Sequence, residues 1–169
     1  MEIVLGVPRD PAGKIMDRSR AQQQVKDWKA KGLKPVFTNG CFDLLHQGHV
    51  RYLAAARALG DVLIVGVNSD ASVQRLKGER RPLLPEDERA ELIASLECVD
   101  LVVIFPEDDP GDLIATLKPK VLVKGADWPK EKVIGREIVE AAGGQVINIP
   151  LVEGRSTSQI IETILQRYK

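Results

Sequence analysis

The stretch from Lys34 to Gly60, KPVFTNGCFDLLHQGHVRYLAAARALG, sets the fold class. Its first part, Pro35–Thr38, is an apolar run that is too short for a helix and is typical of a buried strand. From Gln47 to Leu59 the apolar residues recur at helical spacing, and Gly60 gives that helix a stop. A second Val- and Ile-rich run follows at Val62–Val67, so the stretch predicts a strand, a helix and a second, parallel strand.

The same alternation of apolar runs and helical patterns continues toward both ends of the chain. Further buried strands are predicted at Leu101–Phe105, Val121–Val123 and Val146–Ile149, and helices at Ser19–Lys31, Pro85–Glu97, Pro110–Leu117, Ile134–Ala142 and Ser156–Tyr168. This order predicts an α/β fold, a Rossmann-like, doubly wound, parallel five-stranded sheet with helices on both faces in three α/β/α layers. Residues 1–16 show no clear period, so we predict an N-terminal arm over 1–18 and a single domain over 19–169.

Composition and charge exclude several classes of protein. The chain has 169 residues, with 24 Lys and Arg against 24 Asp and Glu, which disfavours a general nucleic-acid or polybasic membrane role. No apolar run approaches the roughly 18 to 20 residues that span a bilayer, and the first ten residues lack a signal-peptide pattern. Cys41 and Cys98 form no C-x-x-C motif. We expect a soluble, cytoplasmic protein with small-molecule substrates and neither nucleic acid nor membrane as a partner.

The loop after the first strand carries the two histidines of the chain, His46 and His49, three positions apart at the start of a helix. Ligands of parallel α/β sheets collect beyond the carboxyl ends of the strands. Backbone N–H groups at a helix N-terminus favour phosphate, imidazoles add donors, and Gly48 lets an anion approach closely. Two other interpretations stay open: His46 caps the helix while His49 is half-buried, or Cys41, His46 and His49 ligate a metal.

Two further loops carry groups that suit phosphate. In Gly154–Gln159, Ser156 and Gln159 form an S-x-x-Q capping box, which is compatible with phosphate binding, and Arg155 offers a bidentate fork. The basic segment Lys77–Pro82 is either a solvated loop or a ligand site. Neither G-x-G-x-x-G after the first strand nor G-x-x-x-x-G-K-[ST] occurs, which excludes dinucleotide oxidoreductases and P-loop NTPases.

The spacing His-x-Gly-His after Asn-Gly-Cys-Phe-Asp resembles the nucleotidyltransferase superfamily that contains the cytidylyltransferases. The strings TNGCFDLLH (38–46), VNSDASV (67–73), LKG (76–78), VLVKGAD (121–127) and GRSTS (154–158) look like one subfamily, the adenylyltransferase domain of bacterial ADP-heptose synthases. Ser158 stands where the family usually has a second threonine, which keeps the hydroxyl. That subfamily transfers AMP from ATP to D-glycero-D-manno-heptose 1-phosphate on the route to the lipopolysaccharide core.

The resemblance implies roles for particular residues. His46, His49 and Lys77 would be catalytic, and the last would touch the phosphates of both substrates. Nucleotide and phosphate binding would fall to Asn39, Gly40, Cys41, Phe42, Gly48, Arg89, Lys124, Gly125, Asp127, Arg155, Ser156, Thr157 and Ser158, with Trp128 as a stacking face. The sugar phosphate would bind at Asp43, Lys77 and Arg81. Magnesium would be carried by the ATP phosphates, near Asp43, without a dedicated protein site.

Several alternatives remain at this stage. The chain would instead be a CTP-dependent cytidylyltransferase acting on glycerol 3-phosphate or a similar phosphate, or a non-catalytic nucleotide-binding module. Arg89 would instead form a surface salt bridge with Glu86 or Asp87, and Lys124 would pair with Asp127. The resemblance also implies a homodimer, for which the early helix with Trp28 is one contact surface.

Overall fold

The computed structural model describes residues 10–152, 154 and 156–168. Its strands are β1 (Pro35–Gly40), β2 (Val62–Asn68), β3 (Leu101–Phe105), β4 (Val121–Gly125) and β5 (Gln145–Ile149). Its helices are α1 (Arg18–Ala30), α2 (Gln47–Arg57), α3 (Asp70–Lys77), α4 (Glu86–Ala94), α5 (Gly111–Leu117), α6 (Arg136–Ala141) and α7 (Thr157–Arg167), with 3₁₀ turns at Pro11–Lys14 and Lys130–Lys132. All five predicted strands are present.

The strands form one parallel sheet in the order β3-β2-β1-β4-β5. Central strand β1 places Phe37 opposite Ile64 of β2 and Leu122 of β4. Because alternate residues of a strand face opposite sides, Val36 packs in the core under α2 and α4, whereas Phe37 packs under α1, α5 and α6. The predicted doubly wound sheet with helices on both faces is confirmed.

The connections between the strands place one crevice in the sheet. From β1 the chain proceeds to β2 and β3 on one side and then crosses to β4 and β5 on the other. The strand order therefore reverses between β1 and β4, and ligands of such sheets bind at that point, beyond the carboxyl ends of the strands. We call the side where the strands end the carboxyl edge, and the side where they begin the amino edge.

Three features differ from the sequence pattern or add to it. The pattern missed α3, whose N-cap Ser69 accepts a hydrogen bond from Ser72 N. Trp28, predicted on a free contact surface, is half-buried and packs against the core under α1, because its helix lies on the sheet. The apolar side of α7 is only partly covered, since Ile164 and Leu165 are exposed, and Tyr168 just beyond the helix is 86% exposed.

Part of the predicted N-terminal arm lies against the sheet. Residues 1–9 are outside the described residues. Beyond them, Ile15 forms a parallel bridge with Val102 of the edge strand β3, and Met16 N donates to Val102 O at 3.0 Å. The boundary between arm and domain stays a prediction. No helix in the described part of the chain is long and apolar enough to cross a membrane.

Candidate active site

The crevice between β1 and β4 is bridged by two side chains at the carboxyl edge. Lys124 Nζ of β4 donates to Asn39 Oδ1 of β1 at 2.5 Å, and the same ammonium lies 6.0 Å from the centre of the Trp128 ring. Burial disfavours the charged amine and lowers the Lys124 pKa to about 8, although Asp127 acts in the opposite direction. A partly buried cation therefore stands where the fold predicts a ligand.

The two histidines form the N-terminus of α2. His46 is the N-cap, and its Nδ1 accepts from Gly48 N at 3.1 Å. His49 Nδ1 accepts from His46 N over a longer 3.4 Å, and the rings are stacked with centroids 3.8 Å apart. An Nδ1 atom that accepts carries no proton, so each neutral ring has its hydrogen on Nε2. His46 therefore caps α2 through Nδ1, and this capping role is compatible with phosphate binding at the same helix N-terminus.

His49 is neutral at physiological pH. Burial, followed by the neighbouring His46, lowers the His49 pKa to about 4, against the effect of Asp43. The Phe42 ring packs edge-on to it at 5.4 Å. A neutral imidazole donates a hydrogen bond from Nε2–H without adding a full charge.

Asp43 has partners within the protein for both carboxylate oxygens. It is 1% exposed and accepts from Arg81 Nε at 2.6 Å, Leu83 N at 2.9 Å and Leu84 N at 3.1 Å. Burial acts to raise the Asp43 pKa, but these hydrogen bonds prevail and hold it below its usual value. Its backbone carbonyl accepts from Thr157 Oγ1 at 2.5 Å.

The hydrogen bonds of Asp43 decide whether its carboxylate could be a ligand to the predicted Mg²⁺. Leu83 N also contacts Oδ1 at 3.1 Å, so each oxygen has two contacts and the roughly four acceptor positions of the carboxylate are occupied within the protein. No group of three or more His, Cys, Asp or Glu side chains able to hold a metal occurs among the residues described. The contacts of Asp43 therefore do not fit a magnesium ligand, and the alternative metal site at Cys41, His46 and His49 gains no support.

Arg89 supports the loop from inside the protein. It is fully buried, with Nη1 donating to Cys41 O at 2.6 Å, Nε to Leu84 O at 3.0 Å and Nη2 to Asp70 Oδ1 at 2.8 Å. The alternative of a surface salt bridge with Glu86 or Asp87 is wrong, because the acidic partner is Asp70. All three guanidinium nitrogens have protein partners, so a direct contact of Arg89 with nucleotide stays a prediction.

Lys77 and Cys41 share one neighbourhood. Lys77 is exposed at the end of α3, and its charge acts on the Cys41 thiol. Burial raises the Cys41 pKa in spite of the nearby Lys77, Arg89 and Arg81. A thiol that stays protonated is a poor nucleophile, so this cysteine serves as a small side chain beside the cationic groups.

The remaining predicted residues that the structure describes lie at the same edge. Ser156 is the N-cap of α7 and accepts from Gln159 N at 3.2 Å, as its capping motif predicts. Thr157 is in contact with Asp43, Ser158 is exposed, and Arg155 lies outside the described residues. Gly125, the last residue of β4, is buried beside Asp127, and Gly40, the last residue of β1, packs on the Phe42 ring.

Sequence reasoning missed two positioning residues. Asp70 binds Arg89 and stands at the start of the unpredicted α3. Asn148 of β5 donates from Nδ2 to Gly125 O at 3.3 Å and to Trp128 O at 2.6 Å, which fixes the loop after β4. In the sequence, Asn148 could have been noticed as an amide side chain near the carboxyl end of the otherwise apolar run Val146–Ile149.

Comparison with known proteins gives consistent matches. Residues 37–163 match the sequence model of the cytidylyltransferase-like family. The bifunctional protein HldE of Trichlorobacter lovleyi is 56% identical over 160 residues, which cover 95% of this chain and 33% of that protein. HldE of Geobacter metallireducens is 61% identical over 140 residues, 83% of this chain and 29% of that protein. The chain thus spans about a third of the length of these relatives.

Two solved structures share the architecture. The lipopolysaccharide core biosynthesis protein of Thermoplasma volcanium has a TM-score of 0.63 and 29% identity, over 72% of this chain and all of that one. Pantoate-β-alanine ligase of Francisella tularensis has a TM-score of 0.61 and 18% identity, over 85% of this chain and 68% of that one. At that identity the second likeness concerns the fold alone.

Proposed function

Since this chain belongs to the cytidylyltransferase-like family, we propose that it transfers AMP from ATP to D-glycero-D-manno-heptose 1-phosphate. The products would be ADP-heptose and pyrophosphate, on the way to the lipopolysaccharide core. Membership makes the chain an enzyme of the nucleotidyltransferase type, and the identities of nucleotide and acceptor are the proposal. The HldE relatives and the Thermoplasma protein named for lipopolysaccharide core biosynthesis support this choice of substrates.

The stacked histidines at the start of α2 carry the proposal. The helix N-terminus brings partial positive charge, and the neutral rings bring Nε2–H donors to the same place. Donors fixed in advance stabilise the negative charge that develops on the α-phosphate in the transition state. His46 and His49 thus act as hydrogen-bond donors and not as covalent nucleophiles.

The acceptor needs no general base. Its nucleophile is a phosphate oxygen, and a phosphate monoester with a second pKa of about 6 is already largely dianionic at neutral pH. That oxygen forms a new bond to the α-phosphorus while the bond from this phosphorus to the pyrophosphate oxygen breaks. A neutral His49 fits this reaction, because proton removal is not required of it. Lys77 and Arg81 would hold the acceptor phosphate.

The nucleotide would lie across the crevice. Lys124 would bind its phosphates, Asp127 would accept from the ribose or base, and Trp128 would stack on the base. Ser156, Thr157, Ser158 and Arg155 would hold the β- and γ-phosphates at the start of α7. The family's reaction uses a divalent metal with its nucleotide, and we assign Mg²⁺ as part of the ATP substrate.

A substrate matrix tests the proposal. The chain is incubated with ATP, CTP or GTP, each with heptose 1-phosphate, glycerol 3-phosphate or no acceptor, and pyrophosphate release is measured. We expect release only with ATP and heptose 1-phosphate. Turnover with CTP alone would replace the nucleotide in this proposal, and nucleotide binding without turnover in any mixture would favour the binding module.

We also infer a homodimer that works in the cytoplasm. The free thiols Cys41 and Cys98 suit a reducing compartment. Sedimentation velocity at several protein concentrations tests the dimer. A single species with the mass of one chain at all of them would contradict it.

A further inference from the structure

At the carboxyl edge, two charged side chains, Asp43 and Arg89, join the loop after β1 to residues 81–84. We propose that Asp43 is a positioning residue that fixes residues 81–84 against the loop after β1 and so holds the Arg81 guanidinium ready for the acceptor phosphate. This inference rests on the proposed function for the identity of that phosphate. The joining itself is a property of the free protein.

The first observation is the pattern of hydrogen bonds. Asp43 accepts from the backbone N–H groups of Leu83 and Leu84. In return, Arg89 donates to the carbonyls of Leu84 and Cys41. One buried anion and one buried cation thus hold the same two segments together. Separation would leave the Asp43 carboxylate without these donors and would remove the bond from Arg89 to Cys41 O.

The second observation is the backbone on either side of Asp43. Phe42 has φ 48° and Leu44 has φ 52°, which places both in the left-handed region that side chains disfavour. Such conformations persist where the surrounding structure fixes them, and they concentrate at functional sites. The hydrogen bonds of the aspartate between these residues supply that constraint.

The third observation concerns what Arg81 has left to offer. Its Nε donates to Asp43 Oδ2, and its side chain is 17% exposed. Within the described part of the chain, its two terminal nitrogens make no hydrogen bond. A guanidinium has five N–H donors, so the remaining fork suits bidentate binding of a phosphate. Asp43 fixes the orientation of that fork without occupying it.

The same residue reaches a third segment. Thr157 Oγ1, in the first turn of α7, donates to the backbone carbonyl of Asp43. A shift of Asp43 would therefore move the acceptor side and the start of α7 together. Removal of this hydroxyl alone, by Thr157→Val, perturbs the link while leaving the Asp43 carboxylate intact.

The chain contains a matched control. Asp100 Oδ2 accepts from Arg57 Nε at 3.1 Å and from Leu63 N at 2.8 Å, the same combination of an arginine and a backbone amide. It lies before β3 at the amino edge, away from the crevice. Asp100→Asn therefore reports the structural effect of losing such a pair.

Amide hydrogen exchange tests the positioning in the free protein. We expect Asp43→Asn to speed exchange at Leu83 and Leu84 at least tenfold, because Asn opposes Arg81 Nε with its own donor group. Asp100→Asn should leave those two amides unchanged. Equal protection of both amides in the parent chain and in Asp43→Asn would overturn the proposal, whatever the chain catalyses.

Kinetics tests the consequence for the acceptor. Asp43→Asn should raise the KM for heptose 1-phosphate tenfold or more. It should raise the Kd for ATP by less, because Asn keeps the backbone carbonyl that Thr157 contacts. Thr157→Val should shift the same KM in the same direction by less, and Asp100→Asn should leave both constants unchanged. A fall in thermal stability in both Asp variants without a change in acceptor KM would overturn the positioning role. A parent chain inactive with every acceptor would overturn the proposed function, while hydrogen exchange still decides the role of Asp43.

Discussion

The two edges of the sheet both gather basic side chains but differ in what surrounds them. At the amino edge, a cavity of about 470 Å³ is lined by Lys29, Lys34 and Lys120 together with glycines. Lys29 Nζ donates to Leu117 O at 3.1 Å and to Lys118 O. Helices α1 and α5 end here, and helix C-termini carry partial negative charge. Lys29 therefore complements the end of α5.

The carboxyl edge has the opposite polarity. Helices α2, α3 and α7 begin there, so its backbone groups attract anions. At this edge the Lys124 ammonium donates to an amide oxygen, Oδ1 of Asn39. A count of lysines would select the amino edge for a phosphate, whereas the direction of the helices selects the carboxyl edge.

The largest expected effect is on kcat, and it should occur only in a variant at the carboxyl edge. His49→Ala should lower kcat about 100-fold or more, because it removes a transition-state donor. Lys29→Met, at the amino edge, should leave kcat within twofold. Steady-state pyrophosphate release measures both. Equal losses of kcat in the two variants would contradict the assignment of catalysis to the carboxyl edge.

A second comparison concerns nucleotide affinity. Lys124→Met should weaken kcat/KM for ATP roughly 10- to 100-fold, the range of about 1.5 to 3 kcal/mol for a hydrogen bond to a charged group. Lys120→Met removes a lysine from the cavity at the other edge and should have no effect. Titration calorimetry with an ATP analogue checks the binding part, and weaker binding only in Lys120→Met would place the nucleotide at the amino edge.

The pH dependence gives a smaller, graded effect. With a pKa of about 8, Lys124 loses its charge as the pH rises, so kcat/KM for ATP should fall about tenfold per pH unit above 8. His49, with a pKa of about 4, should contribute no break between pH 6 and 7.5. Lys124→Arg stays charged and should remove the fall. An unchanged profile in that variant would assign the titration to another group.

The smallest effect is one of stability alone. Lys29→Met should lower the free energy of unfolding by about 1 kcal/mol, since it removes hydrogen bonds to two helix-end carbonyls. Lys26→Met, on the exposed side of the same helix, is the control and should change little. Urea unfolding measures both variants. An effect of Lys29→Met on turnover at constant stability would contradict the structural role.

Sequence alone was sufficient where the signal is local. The apolar run at Pro35–Thr38 and the helical spacing after Gln47 predicted β1 and α2 with small errors at their ends. Spacing also placed His46 and His49 together, because three positions bring side chains to one face of a helix start.

Sequence patterns did not predict the contacts between segments that are distant along the chain. Arg89 binds Cys41, Leu84 and Asp70, which lie up to 48 positions away along the chain, so no local pattern distinguishes this arginine from a surface one. The resemblance placed Asp43 at the sugar phosphate with Mg²⁺ nearby, and its contact with the sugar phosphate stays a prediction, but no local pattern indicated its partners within the protein. Its actual donors come from the segment around Leu83.

A crystal structure of the chain with a non-hydrolysable ATP analogue and Mg²⁺ tests the central claim most directly. The account predicts the phosphates at the start of α2, with the Nε2 atom of His49 within about 3.2 Å of an α-phosphate oxygen. Phosphates bound among Lys29, Lys34 and Lys120 at the amino edge, with both imidazoles untouched, would contradict it.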